Sequence, residues 1–300
     1  MSPQSVAVML LVVGNLAASL SDVAVKLLEG GISPFQYIFI RQLTSVAIIL
    51  PFWLQLHHRQ RKLTAIITTV TRGQLIMIGS GCMMIAITYL PLATANAVFY
   101  AAPLIMLPLS IWLLKETPNV TKVISTCIGF IGVLIVLRPS QFHWAAIFAL
   151  GTAITLALFN ILVRRLPSEQ PMIATLFWTT LSSLPVSTAL AYIYWQPITN
   201  TQVLWIVVSA VLILTYNGLA VLAYKKAQAS QVALAEYSGL VFVAIIGAIG
   251  FNEIPDGFTI AGIALIIAPL LPWKSVLRRR EKHPLLTASK PSIRKTEKHH

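Results

Sequence analysis

Long apolar stretches separated by short polar breaks run through the chain. A bilayer core about 30 Å thick requires roughly 20 apolar residues in one helix, and ten stretches of about that length follow one another. The breaks between them carry glycine, proline or charged residues, which end helices or form turns. We therefore predict membrane-spanning helices near residues 4–27, 35–54, 73–92, 95–114, 119–137, 143–164, 172–194, 202–224, 232–251 and 257–273.

The pattern occurs twice. Tyr100 lies sixteen residues before Glu116, and Tyr237 lies sixteen residues before Glu253, with a proline two residues after each glutamate. The offset between the two copies is 137 residues, close to half of the chain. Five spans in each copy is an odd number, so the second copy enters the membrane from the opposite side. Inverted repeats of this kind are typical of transporters whose site lies between the two halves.

These observations predict an all-α integral membrane protein with ten transmembrane helices in two inverted five-helix repeats. The first repeat covers residues 1–137, the second covers residues 138–273, and residues 274–300 form a basic, disordered cytoplasmic tail. Composition supports the class, because 57% of the residues are hydrophobic and 10% are charged, which does not describe a water-soluble surface.

Positive charge predicts the orientation and the role of the tail. The net charge is +13, and nine Lys or Arg residues follow Trp273. Such a tail is typical of a segment against an anionic membrane face, and we predict no binding of nucleic acid. Basic residues collect in cytoplasmic loops, so we predict that both termini are cytoplasmic. The loops assigned to that side carry Arg59, Arg61, Lys62, Arg72, Lys115, Lys122, Arg164, Arg165, Lys225 and Lys226, against Lys26 and Arg138 on the other side.

Three ionisable residues inside predicted spans are candidates for function, because each costs roughly 2.5 to 3.5 kcal/mol to insert. Asp22 and Arg41 lie in the outer parts of spans one and two, where they form either a static pair or part of a binding or gating site. Glu236 has no evident basic partner in its helix, and its repeat counterpart is Phe99. We expect Glu236 to couple a proton or to balance a cationic substrate; the alternative is a carboxylate that accepts hydrogen bonds from a neighbouring hydroxyl or amide.

Aromatic and amide side chains on the same helices are candidates for a cavity that holds a planar or polar molecule. Taken singly, each is more often a packing or interface residue. Tyr100 and Tyr237 are the strongest of them, because the repeat places them at equivalent positions. The candidate residues of this kind are Asn15, Tyr37, Gln42, Asn96, Tyr100, Trp178, Asn217 and Tyr237.

The sequence offers no catalytic pattern. The motifs H-E-x-x-H and G-x-S-x-G and the phosphate-binding loop of nucleotide hydrolases do not occur, and Cys82 and Cys127 fall inside predicted spans as packing residues. We therefore predict no catalytic residues, no cofactor and no metal. A channel or a membrane sensor without carrier activity is the alternative from another class, and a sensor normally carries a soluble signalling module, which the spans do not leave room for.

Over residues 1 to about 273, the chain resembles the EamA branch of the drug/metabolite transporter superfamily. The resemblance lies in the duplicated five-span pattern, the E-x-P motifs that begin at Glu116 and Glu253, and the glycines Gly129 and Gly262. The segment SDVAVKLL at residues 21–28 resembles the subgroup that includes riboflavin and S-adenosylmethionine carriers. Aromatic residues suit a flavin ring, whereas acidic residues suit a sulfonium cation.

This resemblance implies a secondary active transporter in the bacterial inner membrane that moves a small polar metabolite by alternating access, without ATP. The small-molecule substrate and the lipid bilayer are its expected partners, together with a coupling proton. A monomer and a homodimer are both compatible with the pattern.

Overall fold

Helices form all the regular structure in the residues that the computed structural model describes, namely 3–115, 120–137, 143–162, 165–167, 169–226, 235 and 238–268. No strand occurs in these ranges, so the predicted all-α class is confirmed for them. A short 3₁₀ helix spans His58–Arg61. The α-helices are α1 (Pro3–Lys26), α2 (Pro34–Leu54), α3 (Ile66–Tyr89), α4 (Leu92–Phe99), α5 (Ala102–Leu114), α6 (Val120–Leu137), α7 (Ala145–Leu162), α8 (Met172–Ile193), α9 (Asn200–Lys226), α10 (Ser238–Gly250) and α11 (Gly257–Ile267).

The helices have the length and composition of membrane spans. Within the described residues, seven segments are long and apolar enough to cross a membrane, with α4 and α5 counted as one. Three shorter apolar segments lie in α6, α10 and α11. Each of the predicted apolar stretches therefore contains at least part of a described helix.

The fourth predicted span is broken. Helix α4 ends at Phe99 and α5 begins at Ala102, where we predicted one continuous helix. Pro103 has no N–H to donate to the backbone four residues earlier, and proline disfavours a helical conformation in the residue before it. By contrast, Pro51, Pro108 and Pro185, which also fall inside predicted spans, lie within continuous helices.

Helix α3 begins earlier than predicted, and one charge assignment was wrong for that reason. Arg72, which we placed in a cytoplasmic loop, lies inside α3 and is 4% exposed. Its Nε donates to the Phe159 carbonyl at 3.2 Å, and its guanidinium lies 4.1 Å from the centre of the Phe159 ring. Threonines near the start of α3 lower the local hydropathy without preventing a helix, so hydropathy placed the boundary too late.

The principal helix pairs each join a helix before residue 138 to one after it: α1 with α9, α2 with α8, α3 with α7, and α6 with α11. The pairs run antiparallel. In α1 and α9, for example, Ser21 meets Ser209 towards one end, whereas Ala7 and Ala223 share an apolar cluster towards the other. The two halves are therefore interleaved, and their helices share one interior.

Helices α6 and α11 approach each other through glycine. A Cβ atom on Gly262 would stand 2.6 Å from the Gly132 carbonyl oxygen and would also collide with Val136 Cγ2. Small residues allow helix backbones to come this close in membranes. Gly129, which follows the first E-x-P motif as Gly262 follows the second, packs against Leu104.

Candidate functional site

One side of α1 is polar and faces the interior of the bundle. At 3.6 residues per turn, these polar residues share one side of α1, and the exposed apolar residues of the helix lie on another side. We call them the polar face of α1: Asn15, Ser19, Asp22 and Lys26. The exposed stripe of α1 consists of Met9, Val13, Leu16, Leu20 and Leu27.

Asp22 is half-buried and is held by a neutral neighbour. Asn96 in α4 donates a side-chain hydrogen bond to the Asp22 carboxylate, and Arg41 interacts with it electrostatically. Asn96 also donates to the Leu92 carbonyl at 3.2 Å, which fixes the orientation of its amide. The carboxylate therefore has a defined position inside the bundle without a direct ion pair.

Arg41 is positioned by hydroxyl groups. Its Nη1 donates to Tyr37 Oη at 3.0 Å and to Ser80 Oγ at 3.1 Å. Tyr37 is fully buried, and its hydroxyl lies 3.5 Å from Ser209 Oγ, which in turn lies 2.8 Å from Ser21 Oγ. Polar contacts thus connect four helices, α1, α2, α3 and α9, around one guanidinium.

Asp22 and Arg41, which we predicted to face each other, interact without a direct ion pair. Both side chains face the interior and interact electrostatically. However, no nitrogen-to-oxygen distance between them is 4.0 Å or less, since the one ion pair among the described residues is Lys26 with Glu253. Each charge is held by neutral partners, and a gap remains between the two.

The pair formed by Lys26 and Glu253 lies one helical turn from Asp22, and we call it the Lys26–Glu253 clasp. Lys26 Nζ lies 2.8 Å from Glu253 Oε1 and donates to the Leu90 carbonyl at 2.8 Å. Glu253 Oε2 accepts the Leu92 N–H at 2.8 Å. The clasp thereby ties the end of α1 to the α3–α4 junction and to the α10–α11 loop.

The other end of the polar face contacts α10. Asn15 Nδ2 donates to the Ala235 carbonyl at 2.8 Å and to Ser238 Oγ at 3.3 Å. Ser19 Oγ lies 3.3 Å from the Gly239 carbonyl oxygen. Gly239 has no room for a Cβ, because the Tyr100 hydroxyl occupies that space. Tyr100 therefore lies where α1, α4 and α10 meet.

One of the predicted site residues, Trp178, lies apart from this group. Trp178 Nε1 donates to the Arg61 carbonyl at 2.7 Å, and its ring meets the Trp53 ring edge-on. Trp53 is twelve residues from Arg41 on α2, which is about 18 Å at 1.5 Å per residue. Asn217 is half-buried and lies on the side of α9 opposite its exposed residues. Glu236 and Tyr237 lie outside the described residues.

Sequence reasoning missed Ser21, Ser80 and Ser209. A single serine in an apolar helix carries no periodic signal, and its partner lies on another helix. Among the described residues, no group of three or more His, Cys, Asp or Glu residues has a metal-binding arrangement. A cavity of about 250 Å³ near Gly30, Met84 and Trp144 is mainly apolar and contains none of the charged candidates.

Comparison with protein families gives a match over both halves of the chain. The model described as the EamA-like transporter family matches residues 5–138 and again residues 143–271. A solved crystal structure is similar with a TM-score of 0.61 at 18% identity, covering 92% of this chain and 99% of the other. That similarity concerns the fold alone.

Several curated relatives are transporters. An S-adenosylmethionine uptake transporter of Rickettsia prowazekii (strain Madrid E) is 28% identical over 85% of this chain and 87% of its own length. A riboflavin transporter of Vibrio cholerae is 26% identical over 80% of this chain and 83% of its own length. A pseudopaline exporter of Pseudomonas aeruginosa is 26% identical over 62% and 67%, respectively.

Proposed function

Because this chain belongs to the EamA-like transporter family, we propose that it is a secondary active transporter that moves a small polar metabolite by alternating access. The family and its named relatives are transporters, so the chain is a multi-pass metabolite transporter and not an enzyme. The observation that carries the proposal is the polar face of α1, which points into the interior between helices of both halves.

We propose ten membrane crossings arranged as two inverted repeats, at residues 1–137 and 138–273, with the tail at 274–300. The antiparallel pairing of α1, α2, α3 and α6 with later helices supports this arrangement, as does the double match of the family. We place the protein in the inner membrane, and the distribution of basic residues favours both termini in the cytoplasm. The Lys26–Glu253 clasp then lies at the periplasmic end of the bundle.

The proposed substrate site lies below the clasp and includes Asp22, Arg41 and Asn96, with Tyr100 and Asn217 deeper in the same interior. Charged groups inside membrane bundles mark substrate and ion pathways. The clasp closes the periplasmic side in this conformation, and opening it admits substrate from that side. Trp178, which is packed on Trp53, is a structural anchor in this proposal.

The substrate in this proposal is a metabolite of the size and polarity of S-adenosylmethionine or riboflavin, as carried by the relatives so named. A carrier of this class needs an energy source. Glu236 is the proposed coupling residue, since a carboxylate inside a membrane binds and releases protons as its surroundings change.

Uptake into proteoliposomes tests both the substrate class and the coupling. We expect labelled S-adenosylmethionine or riboflavin to accumulate when a proton gradient is imposed. Glu236→Gln is expected to lower gradient-driven uptake at least about tenfold, while exchange of substrate without a gradient persists. The matched control is Glu169→Gln, which removes an exposed carboxylate from a loop. Unchanged uptake and pH dependence in Glu236→Gln would remove this residue from the mechanism.

A further inference from the structure

The Asp22–Arg41 gap has the charges and the free hydrogen-bonding groups of a receptor for a zwitterion. We propose that it binds the α-amino acid head group of the substrate, with the carboxylate on Arg41 and the ammonium on Asp22. This inference rests on the proposed transport function and specifies the chemistry of the site.

The hydrogen bonds of Arg41 leave one edge of its guanidinium open. Tyr37 and Ser80 both take their hydrogen bonds from Nη1. Among the described residues, neither Nε nor Nη2 has a hydrogen-bond partner, and neither atom is among the buried polar atoms without one. Nε and Nη2 form the edge that pairs with both oxygens of a carboxylate through two parallel hydrogen bonds. The open edge of Arg41 is therefore arranged for a bidentate anion.

Asp22 provides the opposite charge within electrostatic reach of Arg41. Its carboxylate interacts with Arg41 without a direct ion pair, so the two groups attract each other across a gap. An α-amino acid carries an ammonium and a carboxylate on one carbon and bridges such a gap with complementary charges. Asn96 orients the Asp22 carboxylate in the way Tyr37 and Ser80 orient Arg41, so both halves of the receptor are preorganised.

The exposed parts of the Asp22 and Arg41 side chains face the interior of the bundle and not the lipid. Asp22 and Arg41 are half-buried, yet Asp22 lies away from the exposed stripe of α1, and Arg41 lies opposite the exposed residues Leu43, Leu50 and Leu54 of α2. The space they border therefore belongs to the interior of the bundle. The Lys26–Glu253 clasp covers it one turn above, so a bound head group is shielded from that side.

This assignment separates the two kinds of substrate that the relatives suggest. S-adenosylmethionine carries an α-amino acid head group, whereas riboflavin carries neither an ammonium nor an ionised carboxylate. The expected ligand of this site is therefore an α-amino acid derivative. Bidentate binding to arginine is specific in geometry, and lysine does not reproduce it.

The test is a binding comparison with purified protein, using S-adenosylmethionine, decarboxylated S-adenosylmethionine, riboflavin and the proteinogenic amino acids as probes. We expect the wild type to bind decarboxylated S-adenosylmethionine at least about tenfold more weakly than S-adenosylmethionine, because one charge-assisted contact is lost. The Arg41→Lys variant should bind S-adenosylmethionine as weakly as it binds decarboxylated S-adenosylmethionine. The reason is that the guanidinium proposed to recognise the carboxylate is absent from this variant. Asp22→Asn should likewise lose discrimination against ligands without the ammonium.

Arg59→Lys is the matched control, because Arg59 is exposed on the 3₁₀ helix and should retain full discrimination. Thermal unfolding of each variant without ligand confirms that it is folded. The head-group assignment is overturned if folded Arg41→Lys still discriminates as the wild type does, or if riboflavin binds and no α-amino acid probe does. If only riboflavin binds, the proposal that the protein is a metabolite carrier is unaffected. If none of the probes is exchanged across the membrane of proteoliposomes, the proposed transport function is overturned.

Discussion

Replacing Gly262 with leucine is expected to prevent the protein from folding. A Cβ at this position meets the Gly132 carbonyl oxygen, Val136 Cγ2 and, at 3.3 Å, the Val136 backbone nitrogen. Two of these atoms are backbone, so the contact is relieved only if α6 and α11 move apart. Overpacking typically costs about 1–3 kcal/mol, which we expect for Gly262→Ala; leucine adds further clashes and should exceed that range.

The measurement is thermal unfolding and monodispersity of the purified variants in detergent. Gly218→Ala is the matched control, because no atom lies within 4 Å of a Cβ placed on this helical glycine. Alanine is favoured over glycine in helices by roughly 0.5–1 kcal/mol, so Gly218→Ala should be neutral or stabilising. Equal melting temperatures for Gly262→Ala and Gly218→Ala would contradict the close packing of α6 and α11.

Neutralising one side of the Lys26–Glu253 clasp is expected to impair transport more than neutralising both sides. The Lys26 side chain is 15% exposed and the Glu253 side chain is 19% exposed. Lys26→Met therefore leaves a mostly buried carboxylate without its partner, and Glu253→Gln leaves a mostly buried ammonium without its partner. An unpaired buried charge is more costly than a pair of neutral groups. We expect each single variant to lose on the order of 1–3 kcal/mol in stability and at least about tenfold in uptake.

The double variant Lys26→Met with Glu253→Gln should recover part of both losses, and a double-mutant cycle on melting temperature and uptake measures the coupling. Lys62→Met serves as the control, since Lys62 is exposed. Additive losses in the double variant would show that the two residues act independently, and the clasp would then have no role in closing the site.

The class of fold was readable from the sequence because lipid imposes a simple rule, namely that each crossing needs an apolar helix. That rule located most helix ends within a few residues. It misplaced the start of α3, where threonines reduce hydropathy, and it did not reveal the interruption at Tyr100. Both details depend on local backbone chemistry, to which a hydropathy window is insensitive.

The site was harder to predict than the fold. Asp22 and Arg41 stood out because charge is rare in apolar helices, and Asn96 because it is an amide in the same region. Their partners Ser80 and Ser209 did not, since their importance comes from hydrogen bonds between helices far apart in sequence. Trp178 was grouped with them on residue type alone, although it packs on Trp53.

The central claim is that the two halves enclose one site that opens alternately to each side of the membrane. Counterflow in proteoliposomes tests it most directly. Vesicles loaded with excess unlabelled substrate are diluted into a trace of the labelled compound, with no ion gradient. The account predicts a transient accumulation of label inside, abolished without internal substrate, because a single site carries substrate in both directions. Label that only equilibrates, at a rate independent of internal substrate, would identify a channel and contradict the account.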